Sequence, residues 1–171
     1  MLGLPGGTVR LCSYTPEWRQ LYVEEQERIR SCIRDYVLDI QHVGSTSIPG
    51  MAAKPILDIA IAVADYEEAS RCVEPLDLLG YRYRGEHGIA RRHYFVKGDP
   101  RSHHVHMVEI QSENWAITLC FRDQMLQHPE LAARYATLKH HLAEKFPTDR
   151  ASYQEGKAEF IQSVLRSARE Q

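Results

Sequence analysis

Between Leu57 and Val63 the chain alternates large and small residues. Leu57, Ile59, Ile61 and Val63 fall on one face of a predicted strand, with Asp58, Ala60 and Ala62 on the other and Ala64 continuing that face beyond it. An ionised carboxylate is costly in an apolar interior, so an Asp among alanines predicts that this face opens on a cleft. Upstream, Trp18, Leu21, Tyr22, Glu25, Ile29, Cys32 and Ile33 recur at spacings of three and four after Pro16. That pattern predicts an amphipathic helix. A strand is expected over 37–43, and a shorter one over Val9 to Cys12. Asp65 is placed to cap a helix through Ala69, Cys72 and Val73, which Pro75 should interrupt and Gly80 should stop.

From Tyr81 to Ile110 the pattern is of strands, at 81–84, 91–97 and 104–111, with Gly98-Asp99-Pro100-Arg101 as a turn. The last third is helical. Trp115 to Leu126 is apolar on more than one side, which predicts a well-buried helix. Leu131, Tyr135, Leu138, Leu142 and Phe146 form a core stripe ending before Pro147, and Tyr153, Phe160, Val164 and Leu165 point inward from a helix capped by Thr148 or Asp149. The sum is an α+β fold: a small mixed sheet with helices packed on one face and a helical C-terminal segment.

With 171 residues the chain suits one domain, residues 1–171, with a core of its own. A formal net charge of −2 provides no general attraction to nucleic acid or to an anionic membrane, although a local basic patch stays possible. The longest apolar run, Ile59 to Ala64, falls far short of the roughly 20 residues of a spanning helix. Met1 to Thr8 lacks the basic start and apolar run of a secretory signal. Cys12, Cys32, Cys72 and Cys120 contain no C-x-x-C pair, so they are expected as reduced thiols in a cytoplasmic protein.

The candidate chemistry gathers around the strand at 57–63. Gly44 permits a tight turn, and Ser45, Thr46 and Ser47 set hydroxyls beside backbone N–H groups, a combination that suits phosphate. The turn is not a P-loop, since Met51 follows Gly50, and no nucleophile elbow surrounds Ser45. Lys54 can meet a phosphate as a point charge, and Arg91 and Arg92 can clamp one bidentately. Asp58 can hold magnesium, with Glu109 as the candidate second ligand. Strict alternation sets Glu109 on the opposite side from His104 and His106, which themselves share a side. Those two histidines can bind an anion or, with a third ligand, a transition metal.

The block His-Val-Gly-Ser-Thr-Ser-Ile-Pro-Gly-Met-Ala-Ala-Lys-Pro-Ile-Leu-Asp-Ile at 42–59 resembles the signature of the GrpB family. The blocks at 92–98 and 103–109 and the helical tail from Trp115 resemble it too, so the similarity covers almost the whole chain. That family belongs to the nucleotidyltransferase-fold superfamily and occurs fused to dephospho-CoA kinases. The resemblance implies a Gly-Ser turn for nucleotide phosphates (Gly44-Ser45) and an Asp-x-Asp/Glu pair for divalent metal. Ala60 stands where the second carboxylate would be. Expected, then, is a nucleotidyltransferase-like protein that binds a nucleotide or other phosphate-bearing ligand and transfers a nucleotidyl group. The alternatives are a non-catalytic nucleotide or coenzyme binder with a degenerate metal site, and a histidine-based metallohydrolase.

Overall fold

The computed structural model describes residues 1–170. Helix α1 (Glu17–Ile33) buries Trp18, Tyr22, Glu25, Ile29 and Ile33, the face expected from their spacing. Strand β1 (Asp39–Val43) runs into a 3₁₀ turn over Ser45–Ser47, and β2 (Leu57–Val63) follows. Helix α2 (Val73–Leu78) and strands β3 (Tyr81–Tyr83), β4 (His93–Lys97) and β5 (His103–Glu109) come next. Three helices end the chain: α3 (Glu113–Gln127), α4 (Pro129–Lys145) and α5 (Arg150–Arg169).

The sheet has the order β1-β2-β5-β4-β3, antiparallel at every pairing except β2–β5, which is parallel. That one ladder sets Asp58 opposite His104 and Ala60 opposite His106. Side chains at paired positions point to the same face, so the register alone brings the carboxylate and both imidazoles together.

The two faces are covered differently. Leu57, Ile59, Ile61, Val105 and Met107 pack against α1 and α2 in the main core. On the reverse face Ala60 and Ala62, with Val43 and Val108, meet Trp115 of α3. The alanines leave room for the helix near the sheet. The expected α+β architecture is present, with the C-terminal helices standing over the face that carries Asp58.

Three local expectations are corrected. Pro75 does not interrupt α2 but lies in its first turn, where an amide N–H has no intrahelical partner to lose. Val9 to Cys12 forms no strand. Cys12 makes a single bridge to Ala53, and Pro55 two residues on from Ala53 has no N–H to extend the ladder. Helix α3 buries only Trp115 and Met125 fully, because its second apolar side lines an open compartment described below. None of the described helices is long and apolar enough to cross a membrane.

Beneath α1, the buried Glu25 accepts hydrogen bonds from the Tyr81 hydroxyl at 2.8 Å and from Lys97 Nζ, and pairs with Arg28 at 3.4 Å. Burial alone would push this carboxyl up, but the Lys97 and Tyr81 hydrogen bonds outweigh it and hold the group below its ordinary value. Glu25→Ala leaves a phenol and an ammonium without their partner in the core, and should lower stability by about 3–5 kcal/mol. Urea unfolding followed by circular dichroism measures it; a loss under ~1 kcal/mol would show that the node is not structural.

Candidate functional site

Asp58 emerges from β2 directly beneath the turn that follows β1. Gly44 holds φ +69°, and a Cβ there would stand 2.7 Å from Asp58 Oδ2. Glycine is therefore required twice, for its backbone and for the carboxylate packed against it. Of the three hydroxyls after it, Ser45 faces the cleft. Thr46 is buried and its Oγ1 lies 2.9 Å from His42 Nε2. Ser47 donates to the Gly44 carbonyl at 2.6 Å and lines the opposite side of the turn. The Thr46 and Ser47 hydroxyls thus brace the turn, and Thr46 lines the cleft beside Gly44 and Ser45.

Asp58 Oδ1 is 3.0 Å from His104 Nδ1 and 3.2 Å from His106 Nε2. Arg92 Nη1 lies 3.3 Å from the other nitrogen of His106, Nδ1. A guanidinium can only donate, so His106 Nδ1 accepts, and its Nε2–H donates to Asp58. His104 donates from Nδ1, which leaves Nε2 as a buried acceptor with no partner. Burial pushes Asp58 up, but the two histidine hydrogen bonds outweigh it and hold the carboxyl well below its usual range. Burial likewise depresses His104, against the pull of Asp58. The centre is an anion held by two imidazoles.

Glu109 does not join it. As strict alternation requires, it leaves β5 on the other face, paired with Val63 at the far end of the ladder. There it binds Arg91, at 3.0 and 3.1 Å, and the Tyr66 amide. Arg91 also forks onto Glu67, so neither Arg91 nor Glu109 faces the cleft. Arg92 does: it stacks over Tyr94 at 4.7 Å and donates to the carbonyls of Glu86 and His87.

Asp58 supplies the cluster's one carboxylate beside two imidazoles, so magnesium, which takes oxygen ligands, would find a single protein ligand here and would draw the rest from a ligand's phosphates. A transition metal tolerates imidazole, but a metal-bound histidine normally donates its second N–H to an acceptor. His106 meets a guanidinium there and His104 meets nothing.

Above the centre lies a cavity of about 500 Å³. Its charged lining, besides Asp58, is cationic: Lys54, Arg92, Arg101, Lys139, Arg150 and Lys157. Lys139 and Lys157 are absent from the sequence-based expectations, although each lies one turn after a tyrosine on the inner face of its helix. Lys139 sits 5.0 Å over the Tyr135 ring and Lys157 4.6 Å over Tyr153, while Lys54 approaches the same Tyr153 ring at 5.3 Å. An apolar compartment of about 320 Å³ adjoins it across Ser45, Asp58, His106 and Tyr135, walled by Trp115, Phe121 and Val108 among others.

The sheet order, with the Gly-Ser turn over Asp58, makes this an α+β protein of nucleotidyltransferase-like fold. The particular family is equally plain: the chain belongs to the GrpB family, whose profile, described as GrpB protein, matches residues 8–167. The Bacillus subtilis UPF0157 protein YqkA is 40% identical over 166 residues, covering 96% of this chain and 48% of that protein. The chain thus spans about half the length of that relative. A dephospho-CoA kinase of Mycolicibacterium paratuberculosis is 29% identical over 187 residues, which cover 94% of this chain and 46% of the kinase. The crystal structure of conserved protein GrpB from Enterococcus faecalis superposes with a TM-score of 0.87 at 32% identity, covering 93% of this chain and 96% of that one. Cid1 poly(U) polymerase with Mg 3′-dATP superposes at 0.56 with 13% identity, covering 84% and 49%, a likeness of fold alone.

Burial pushes Lys139 and Lys157 down to about 7 and Lys54 down to about 8. Between those values and the ~10.4 of a free lysine, the unfolded chain holds more protons than the folded one. The lysines' contribution to stability therefore rises with pH across that window. The urea midpoint should climb from pH 7 to 9, and Lys157→Met should flatten the climb. An equal slope in the variant would show that Lys157 does not titrate there.

Proposed function

We propose that the cleft binds a nucleotide or another phosphate-bearing small molecule, seated at the Gly44–Ser45 turn. The observation that carries this reading is a single carboxylate, already bonded to two imidazoles, on the floor of a cavity whose other charged groups are cations. Cations in a partly desolvated cleft favour an anionic occupant, and lysine and arginine are suited to phosphate oxygens. The shared fold of Cid1, captured with Mg 3′-dATP, supports a nucleotide, and the relative named dephospho-CoA kinase extends the candidates to coenzyme-like phosphates. The adjoining apolar compartment has room for a base or another low-polarity group of the ligand.

Ala60 and the departure of Glu109 favour binding without nucleotidyl transfer, since nothing replaces the missing carboxylate. A second reading, transfer to an acceptor hydroxyl or amine, rests on His104 Nε2. With Nδ1–H held by Asp58, that nitrogen is left in the tautomer a general base needs.

Nucleoside triphosphates and coenzyme A derivatives should raise the melting temperature, by an amount equivalent to about 2.7 kcal/mol at a hundredfold excess over Kd. Gly44→Val, which forces a side chain onto Asp58, should remove that response while circular dichroism still shows the fold. A wild-type chain indifferent to every phosphate compound would sink the proposal. For the second reading, Asp58→Asn should abolish transfer of a labelled nucleotidyl group, because the amide carries no charge to fix the histidine; undiminished transfer would discard it.

A further inference from the structure

Three amines from three separate elements converge above Asp58: Lys54 from the segment before β2, Lys139 from α4 and Lys157 from α5. Elsewhere this chain pairs its buried or crowded cations with carboxylates. Lys97 meets Glu25, and Arg91 meets both Glu67 and Glu109. Among the described residues none of the three amines forms a salt bridge. Lys139 is 2% exposed and donates to the Ala52 carbonyl at 2.6 Å, a neutral partner that leaves its charge uncompensated. Asp58 is the anion that acts on Lys54 and Lys157, and its Oδ1 is already engaged by both His104 and His106. Unpaired charge in a half-buried cavity is unfavourable, and an arrangement of this kind is relieved by an anionic ligand.

Charge also bears on the form in which that ligand arrives. In transferases of this fold a carboxylate-bound metal neutralises the phosphates, but the ligand set that would receive it is reduced here to Asp58. A hydrated divalent cation would also enter against six cationic side chains. Resting on the phosphate-binding reading above, we propose that the ligand is a polyanion of adjacent phosphates bound as the metal-free species. The amines of Lys54, Lys139 and Lys157 then supply the countercharge that a divalent metal would otherwise bring. Arg150, Arg101 and Arg92 line the same cavity, with Tyr94 and the imidazoles of His104 and His106.

Proton linkage follows from the same arrangement. After burial, Lys139 is depressed by Lys157 and Lys54. Lys157 is depressed by Lys54 and Arg150, and Lys54 by Arg150 and Arg101, with Asp58 opposing in both cases. A bound polyanion favours the charged amines, so binding takes up protons near neutral pH. The amines' contribution to affinity then falls as pH rises through their free-state values of about 7 to 8.

The test is calorimetric and thermal titration of the whole chain with sodium tripolyphosphate, pyrophosphate and orthophosphate in EDTA, repeated with magnesium. Tripolyphosphate is expected to bind in EDTA at least tenfold more tightly than orthophosphate, to weaken when magnesium is added, and to take up protons at pH 7.5 when buffers of different ionisation enthalpy are compared. Lys157→Met should lose at least tenfold in affinity while melting no lower than wild type without ligand, because it removes an unpaired charge. Should that variant fail to fold, Lys54→Met serves in its place with the same expectation. Stabilisation by tripolyphosphate or nucleotides only when magnesium is present would overturn the metal-free inference and leave the phosphate-binding function standing. Silence toward every phosphate compound, nucleotides included, would overturn both.

Discussion

The parallel pairing of β2 with β5 is the constraint on which the site depends. Five strands meet in this sheet, and that ladder alone runs in one direction. Its register fixes Asp58 across from His104 and Ala60 across from His106, so two imidazoles converge on one carboxylate oxygen without help from any loop. A slip of one residue would send both histidines into the core against α1 and replace them with Val105 and Met107. The large residues of the opposite face prevent that slip, because Ile59, Ile61, Val105 and Met107 are fully buried. Packing on one side of the sheet thus secures the chemistry on the other.

From that centre the cleft is completed by parts of different origin. The sheet contributes the anion and its two hydrogen-bond donors. The turn after β1 contributes a glycine that tolerates the carboxylate beside it. The C-terminal helices contribute three of the six cations, with Lys139 and Lys157 each laid over the tyrosine one turn before it. A weakly acidic chain in this way builds a strongly basic cavity, which no net charge could have announced.

Much of this is legible in the sequence. The alternation at 57–63 already separated a core face from an Asp-bearing face, and His104 and His106 already shared a phase. The same alternation argued against Glu109, and the structure sides with it: that residue left the candidate metal pair for Arg91. What stayed hidden was long-range. Lys139 interrupts a stripe judged by its apolar members, and nothing local distinguishes it from a lysine at a solvated edge. Lys157 and Arg150 meet Lys54 only because α5 docks over the turn, a contact between positions about a hundred residues apart. The apparent excess of apolar surface on α3 was a true signal given the wrong cause. It walls a compartment of the cleft and does not mark a fully buried helix.

The amines of the cleft also act on one another. Lys54, Lys139 and Lys157 are carried by three different elements, and each depresses or is depressed by another. Their repulsion is directed between those elements, not along any one of them. Without an anion that repulsion acts between α4, α5 and the segment before β2, while Tyr135 packed against Phe121 and Phe160 ties α4 to α3 and α5. An occupant that cancels the charge turns the same three side chains from wedges into clasps.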